Sequence, residues 1–165
     1  VNRSSFYAHF TTTEDVALFV LGDRLQLLAE RDIYRRLDGM PGREASRQVL
    51  SELIAALLDA KDELSTVFNT ARAAARMRFA ELLTAGTMSF FDRLDIDAGD
   101  ELKSAAALFV GNGAAAVLID WLLDTAPCPQ DEIIGVLVDL NPAWVINSQK
   151  RSVIPPTDIH KEGKK

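Results

Sequence analysis

Arg3-Ser4-Ser5-Phe6-Tyr7-Ala8-His9-Phe10-Thr11-Thr12-Thr13-Glu14-Asp15-Val16-Ala17 is the stretch whose reading decides the rest of the chain. Phe6 and Phe10 stand four residues apart, so residues 3–10 read as a short helix with one apolar and one polar side. Thr11 and Glu14 have the spacing of a capping box: the threonine oxygen accepts from an early orphan amide and the glutamate reaches back. A long helix therefore begins there. Leu18, Leu21, Leu25 and Leu28 recur at three- and four-residue intervals and carry it to about Arg36. Asp38-Gly39-Met40-Pro41-Gly42 stops it, with two glycines and a proline in five residues.

Helical spacing continues downstream, and strand-like alternation is nearly absent, so the fold class is all-α. Helices are expected over about 43–60, 71–94, 101–124 and 130–140, with a shorter piece at 63–69 and a turn at 143–147. Lys61-Asp62 and the acidic run from Asp95 to Asp100 read as loops, and Pro127-Cys128-Pro129 as a break. From Ser148 onward the chain is polar, with Pro155-Pro156 and lysines, and reads as a mobile tail. Three parts follow: 1–11, with the short first helix; 12–148, a helical body; and 149–165, the tail.

At 165 residues the chain has enough length for one sizeable core. A single cysteine, Cys128, rules out an internal disulfide framework and suits a reducing cytoplasm. The most apolar window, 105–123, is interrupted by Asn112 and Asp120 and reads as a buried helix rather than a membrane span. The net charge of −6 opposes nucleic-acid binding by the chain taken as a whole.

The short first helix nevertheless has the chemistry of a DNA-reading element. Arginine is the usual bidentate partner of guanine, and Arg3, Ser4 and Ser5 supply a base-facing side. Tyr7 and His9 can donate to phosphates, which sets register without reading sequence. The string Phe6-Tyr7-x-His9-Phe10, followed by Glu14 and a hydrophobic helix, resembles the recognition helix and linker helix of the TetR (tetracycline-repressor-like) family of transcription regulators. By that resemblance Arg3, Ser4 and Ser5 fall at base contacts, and Tyr7 and His9 at the DNA backbone. Thr13 stands where the family commonly has a lysine reaching phosphate, and here that charge is absent. The two family helices that precede the recognition helix have no counterpart in this sequence, so the acidic balance describes mainly a regulatory domain. What the resemblance implies is a cytoplasmic, ligand-responsive repressor that binds a palindromic operator as a homodimer. The alternative is a stand-alone helical dimer that binds a small ligand or a protein partner and has no DNA role.

Family members sense small molecules within the helical body. Here Phe68, Met77, Phe79, Leu83, Met88, Phe90, Phe109 and Trp121 are the candidate lining, and the same residues at helical spacing would equally fill a core. Few polar groups lie among them, which suits an apolar or amphipathic effector. The resemblance places the dimer contact on the last two long helices. Ala107, Gly111 and Ala114 permit close approach there, Val117, Leu118 and Trp121 add apolar area, and Ile133, Ile134, Leu137 and Val138 form a matching stripe. Neither a metal-ligand spacing nor a nucleophile beside a base appears: the histidines are His9 and His160, and Cys128 sits between prolines. Arg72, Arg76 and Arg78 read as a solvated face. No enzyme activity, cofactor or membrane partner is expected.

Overall fold

The structure is a computed structural model that describes residues 13–70, 72–94, 96, 98–125 and 128–147. The residues of the DNA-reading string up to Thr12, and the tail from Ser148, lie outside the described residues, as do the side chains of 13–18. Among the described residues there are seven helices and no strand: α1 (Thr13–Leu37), α2 (Gly42–Asp59), α3 (Lys61–Thr70), α4 (Arg72–Arg93), α5 (Asp100–Leu122), α6 (Gln130–Asp139) and α7 (Ala143–Ile146). The fold is all-α.

α1 ends through backbone bonds that its sequence requires. Met40 N–H donates to Arg35 C=O at 2.9 Å and Gly39 N–H to Arg36 C=O at 3.1 Å, the pairing of a Schellman cap. Gly39 takes φ +95°, a conformation that costs glycine no Cβ clash. Pro41 then presets the entry to α2. Lys61-Asp62, read as a loop, is instead the first turn of α3, and Ala60 alone separates α2 from α3. Asp62 and Glu63 stand in that first turn, where carboxylates favour the positive end of the helix dipole.

α4 and α5 pack along much of their length, with α1 across α4 and α2 between α1 and α6. A Cβ on Gly111 of α5 would run into Thr84 of α4, side chain and backbone alike, so this position must be glycine for the two helices to meet this closely. Ala106, Ala107, Gly111 and Ala115 of α5 are thus buried within the chain, while Ala105 and Gly113 are exposed. α6 packs chiefly on α2 and scarcely approaches α5, leaving a groove of about 100 Å³ between them.

The interior forms two apolar clusters. The larger gathers Leu21 and Leu28 of α1, Ile54 and Leu57 of α2, Phe68 of α3, Phe79 of α4, Leu118 and Ile119 of α5 and Val138 of α6. Phe68 and Phe79 meet with ring centroids 6.1 Å apart. The smaller cluster holds Ile33, Phe90, Phe91, Ile96, Ala106, Ala107 and Val145, with Trp144 stacked 4.9 Å from Phe91.

Candidate functional site

A cavity of about 170 Å³ opens where the two clusters meet. α1 presents one face to it, Leu25, Leu28, Ala29, Asp32 and Arg36, the i, i+3, i+4, i+7 and i+11 positions of a helix. α2 adds Ser46, Val49, Leu50 and Leu53; α4 adds Leu82, Leu83, Gly86, Thr87, Phe90 and Phe91; α5 adds Val110, Ala114 and Leu118. The walls are largely aliphatic, and Asp32, Arg36 and Ser46 meet at one end.

That end is organised by Arg36, whose side chain is 1% exposed. Its Nε donates to Asp32 Oδ1 at 3.1 Å, one helical turn away. Nη1 donates to the Val145 carbonyl at 2.8 Å, and Nη2 to the Gly42 carbonyl at 3.0 Å and to Ser46 Oγ at 2.6 Å. The ring of Phe90 lies 4.9 Å from the guanidinium carbon. A planar fork of five donors is the side chain that can serve so many acceptors at once. Arg36 thereby ties α1, the start of α2 and α7 into one knot. Gly42 belongs to it as well, since a Cβ there would strike the Ile146 carbonyl and Arg36 Nη1.

Asp32 is 5% exposed, and burial pushes its carboxyl above the ordinary value. The charge and hydrogen bond of Arg36, and the charge of Arg35, pull the other way without cancelling that effect. Nearby, Glu52 of α2 takes Arg35 as an ion partner and Arg31 at 3.5 Å, holding the outer side of α1 to α2.

Of the residues expected to line a ligand cavity, Leu83 and Phe90 do so. Phe68 and Phe79 are 0% exposed and fill the solid part of the larger core, away from the cavity lining. Met77 points to solvent at 60% exposed, Met88 packs on the smaller cluster, and Phe109 stands at the groove between α5 and α6. Trp121 is half-buried against the larger core, and its indole N–H donates to the Cys128 carbonyl at 2.8 Å. Sequence reasoning missed Asp32, Arg36 and Ser46. Asp32 and Arg36 were legible as an i,i+4 pair on the same helix face as Leu25 and Leu28.

Of the residues expected at a dimer contact, Ala107, Gly111, Leu118, Ile133, Ile134, Leu137 and Val138 are already buried within the chain. Ala114 and Val117 are half-buried in the groove wall. The large apolar side chains left on the outside of these helices are Leu102, Leu108 and Phe109 of α5, Val136 of α6 and Leu140, the residue that caps α6, each about half exposed or more.

Arg76, read as part of a solvated face, reaches across to Asp120 of α5 at 2.7 Å, while Arg78 pairs with Glu81 at 3.0 Å on its own helix. Local desolvation and the Glu132 carboxylate, whose Oε2 lies 3.7 Å from Sγ, keep the Cys128 thiol above its ordinary pKa. Among the described residues no group of three or more His, Cys, Asp or Glu side chains could hold a metal ion. Thr13 begins α1, and Arg3, Ser4, Ser5, Tyr7 and His9 lie outside the described residues.

Comparison with known proteins finds no matching family model, no matching curated protein and no matching solved structure.

Proposed function

We propose that this chain is the regulatory and dimerising part of a DNA-binding transcription regulator of the TetR type, a repressor whose operator affinity changes when a small, largely apolar effector enters the cavity between the two core clusters. The observation that carries the reading is an alignment of sequence and geometry. The string of residues 3–10 has the chemistry of a recognition helix, and the helix that follows it, α1, supplies one whole wall of the cavity. A ligand that changes how α1 sits on α2 and α4 would change how the DNA-reading segment is carried. Such coupling requires the ligand to bind the two arrangements with different affinity.

Dimerisation belongs to the same proposal. α5 is apolar all round, yet only 39% of its most apolar window is buried within the chain. By length and composition alone that helix also passes the test for a membrane span. Its packing against α4 favours a soluble partner for the bare side, and a second copy presenting Phe109, Val136 and Leu140 is self-complementary about a two-fold axis.

The test is a gel shift on the DNA upstream of the gene, using the protein at its full natural length and the same protein with Tyr7→Ala. Binding should weaken steeply with salt, by a logarithmic slope of about −0.9 per phosphate contacted, and Tyr7→Ala should abolish it. Failure of the unaltered protein to bind any upstream fragment would move the weight to a helical dimer with a ligand or protein partner and no DNA role. The net charge of −6 favours that second reading.

A further inference from the structure

The polar end of the cavity has a definite sense of charge. Arg36 is committed: each of its nitrogens already donates to Asp32, Val145, Gly42 or Ser46. Thr87 Oγ1 donates to the Leu83 carbonyl at 2.8 Å, and Asn141 Nδ2 to the Leu137 carbonyl at 2.7 Å. The acceptors are in a different state. Asp32 gives Oδ1 to Arg36, and among the described residues its carboxylate has no other hydrogen-bond partner. Asn141 likewise retains its amide oxygen; the second Asn141 amide hydrogen and the Ser46 hydroxyl hydrogen are the donors left over, and neither carries charge, whereas Asp32 does. A carboxylate or phosphate entering the cavity would find its natural partner, Arg36, already occupied; a donor would find acceptors waiting.

We propose that the cavity takes an apolar cation, a one-ring body bearing a protonated amine, with the ammonium on Asp32 and the ring among Leu25, Leu50, Leu83 and Phe91. This rests on the reading of the cavity as a ligand site and names the class of ligand. Size argues for a single ring, because an apolar cavity of about 150 Å³ accommodates benzene and this one measures about 170 Å³. The buried carboxylate argues for the amine: a desolvated negative charge gains most from an added N–H donor carrying positive charge. The raised pKa of Asp32 agrees, since it reports a charge that Arg36 does not fully compensate.

Calorimetric titration of the protein, without DNA, with 2-phenylethylamine, 2-phenylethanol and 3-phenylpropanoate at neutral pH tests the proposal. The amine should bind at least tenfold more tightly than the alcohol or the carboxylate. Asp32→Asn, which keeps an acceptor for Arg36, should bring the amine down to the alcohol's level. Gly86→Leu supplies a second variant independent of Asp32: Gly86 lines the cavity, and nothing stands within 4 Å of where its Cβ would be. It should keep the fold and abolish binding of the amine. Carboxylate binding equal to or tighter than that of the amine overturns the proposal, as does amine binding that survives either variant or fails in the unaltered protein. None of these outcomes depends on the gel shift, so a lost operator and a wrong ligand class are told apart.

Discussion

At the Arg36 end of the molecule a full charge is buried and each of its nitrogens donates a hydrogen bond, whereas along the outer sides of α5 and α6 large apolar side chains stand in solvent. Both regions depart from the simple rule of apolar inside and polar outside. The first is closed by the chain itself: a guanidinium with 1% exposure is sustained only because a carboxylate, two backbone carbonyls and a hydroxyl surround it. Among the described residues nothing closes the second. Phe109 is 63% exposed beside a groove of about 100 Å³, on a helix with apolar residues on every side. One region is closed by its own hydrogen bonds, and the other leaves large apolar side chains exposed among the described residues.

Removing the centre of the closed region should have the larger effect. Arg36→Met strips the partner from Asp32 and leaves the acceptors of Val145, Gly42 and Ser46 unserved. The expected loss is about 3–5 kcal/mol, the cost typical of breaking a buried ion pair from one side. Chemical denaturation measures it, and a loss below about 1 kcal/mol would mean that the knot is ornamental. On the exposed region, the double variant Phe109→Glu with Leu140→Glu should leave unfolding of the monomer nearly unchanged, because both side chains are already in water. It should weaken self-association by a factor of about 30 or more, as loss of a central contact does. Sedimentation at several concentrations reads this out, and an unaltered dimer would place the contact elsewhere.

The smallest effect sharpens the contrast through pH. Asp32 has a folded pKa above its unfolded value, so the folded state holds the proton more tightly and its share of stability is lost as pH rises through the folded pKa. Relative to Asp32→Asn, the unaltered protein should therefore lose stability from about pH 4 upward, by at most about 1.4 kcal/mol per pH unit. Melting temperatures of the two proteins across that range provide the check. A difference that stays flat, or that moves in favour of the unaltered protein, would show that Arg36 compensates Asp32 fully.

Much of the fold was legible because helix signals are local. The Asp38-Gly39-Met40-Pro41 stop, the leucines of α1 and the prolines before α6 each act within a few residues, and the helices lie close to where they were expected. Lys61 was misread because a polar pair between helices resembles a loop, while the same residues make a good first turn. The cavity was less legible. Of the aromatics and methionines taken with Leu83 as its walls, Phe90 does line it beside Leu83, but Phe68 and Phe79 are fully buried in the larger core, and most of the lining is leucines with an ion pair. Period alone gives the face of a helix and not its neighbour, so the sequence could not show that Thr84 of α4 packs against Gly111 of α5.

By itself the sequence determined the all-α class and the helix boundaries to within a residue or two at most ends of the described helices. These rest on spacing, capping and turn residues, which act over one or two helical turns. Tertiary structure alone decided which apolar face of α5 is buried, that Arg36 is an interior residue, and that space remains between the two core clusters. Those outcomes depend on side chains separated by up to 109 positions, as Arg36 and Val145 are, coming together in one place. Nothing in a local pattern fixes such a meeting, because it is set by how the helices pack against one another.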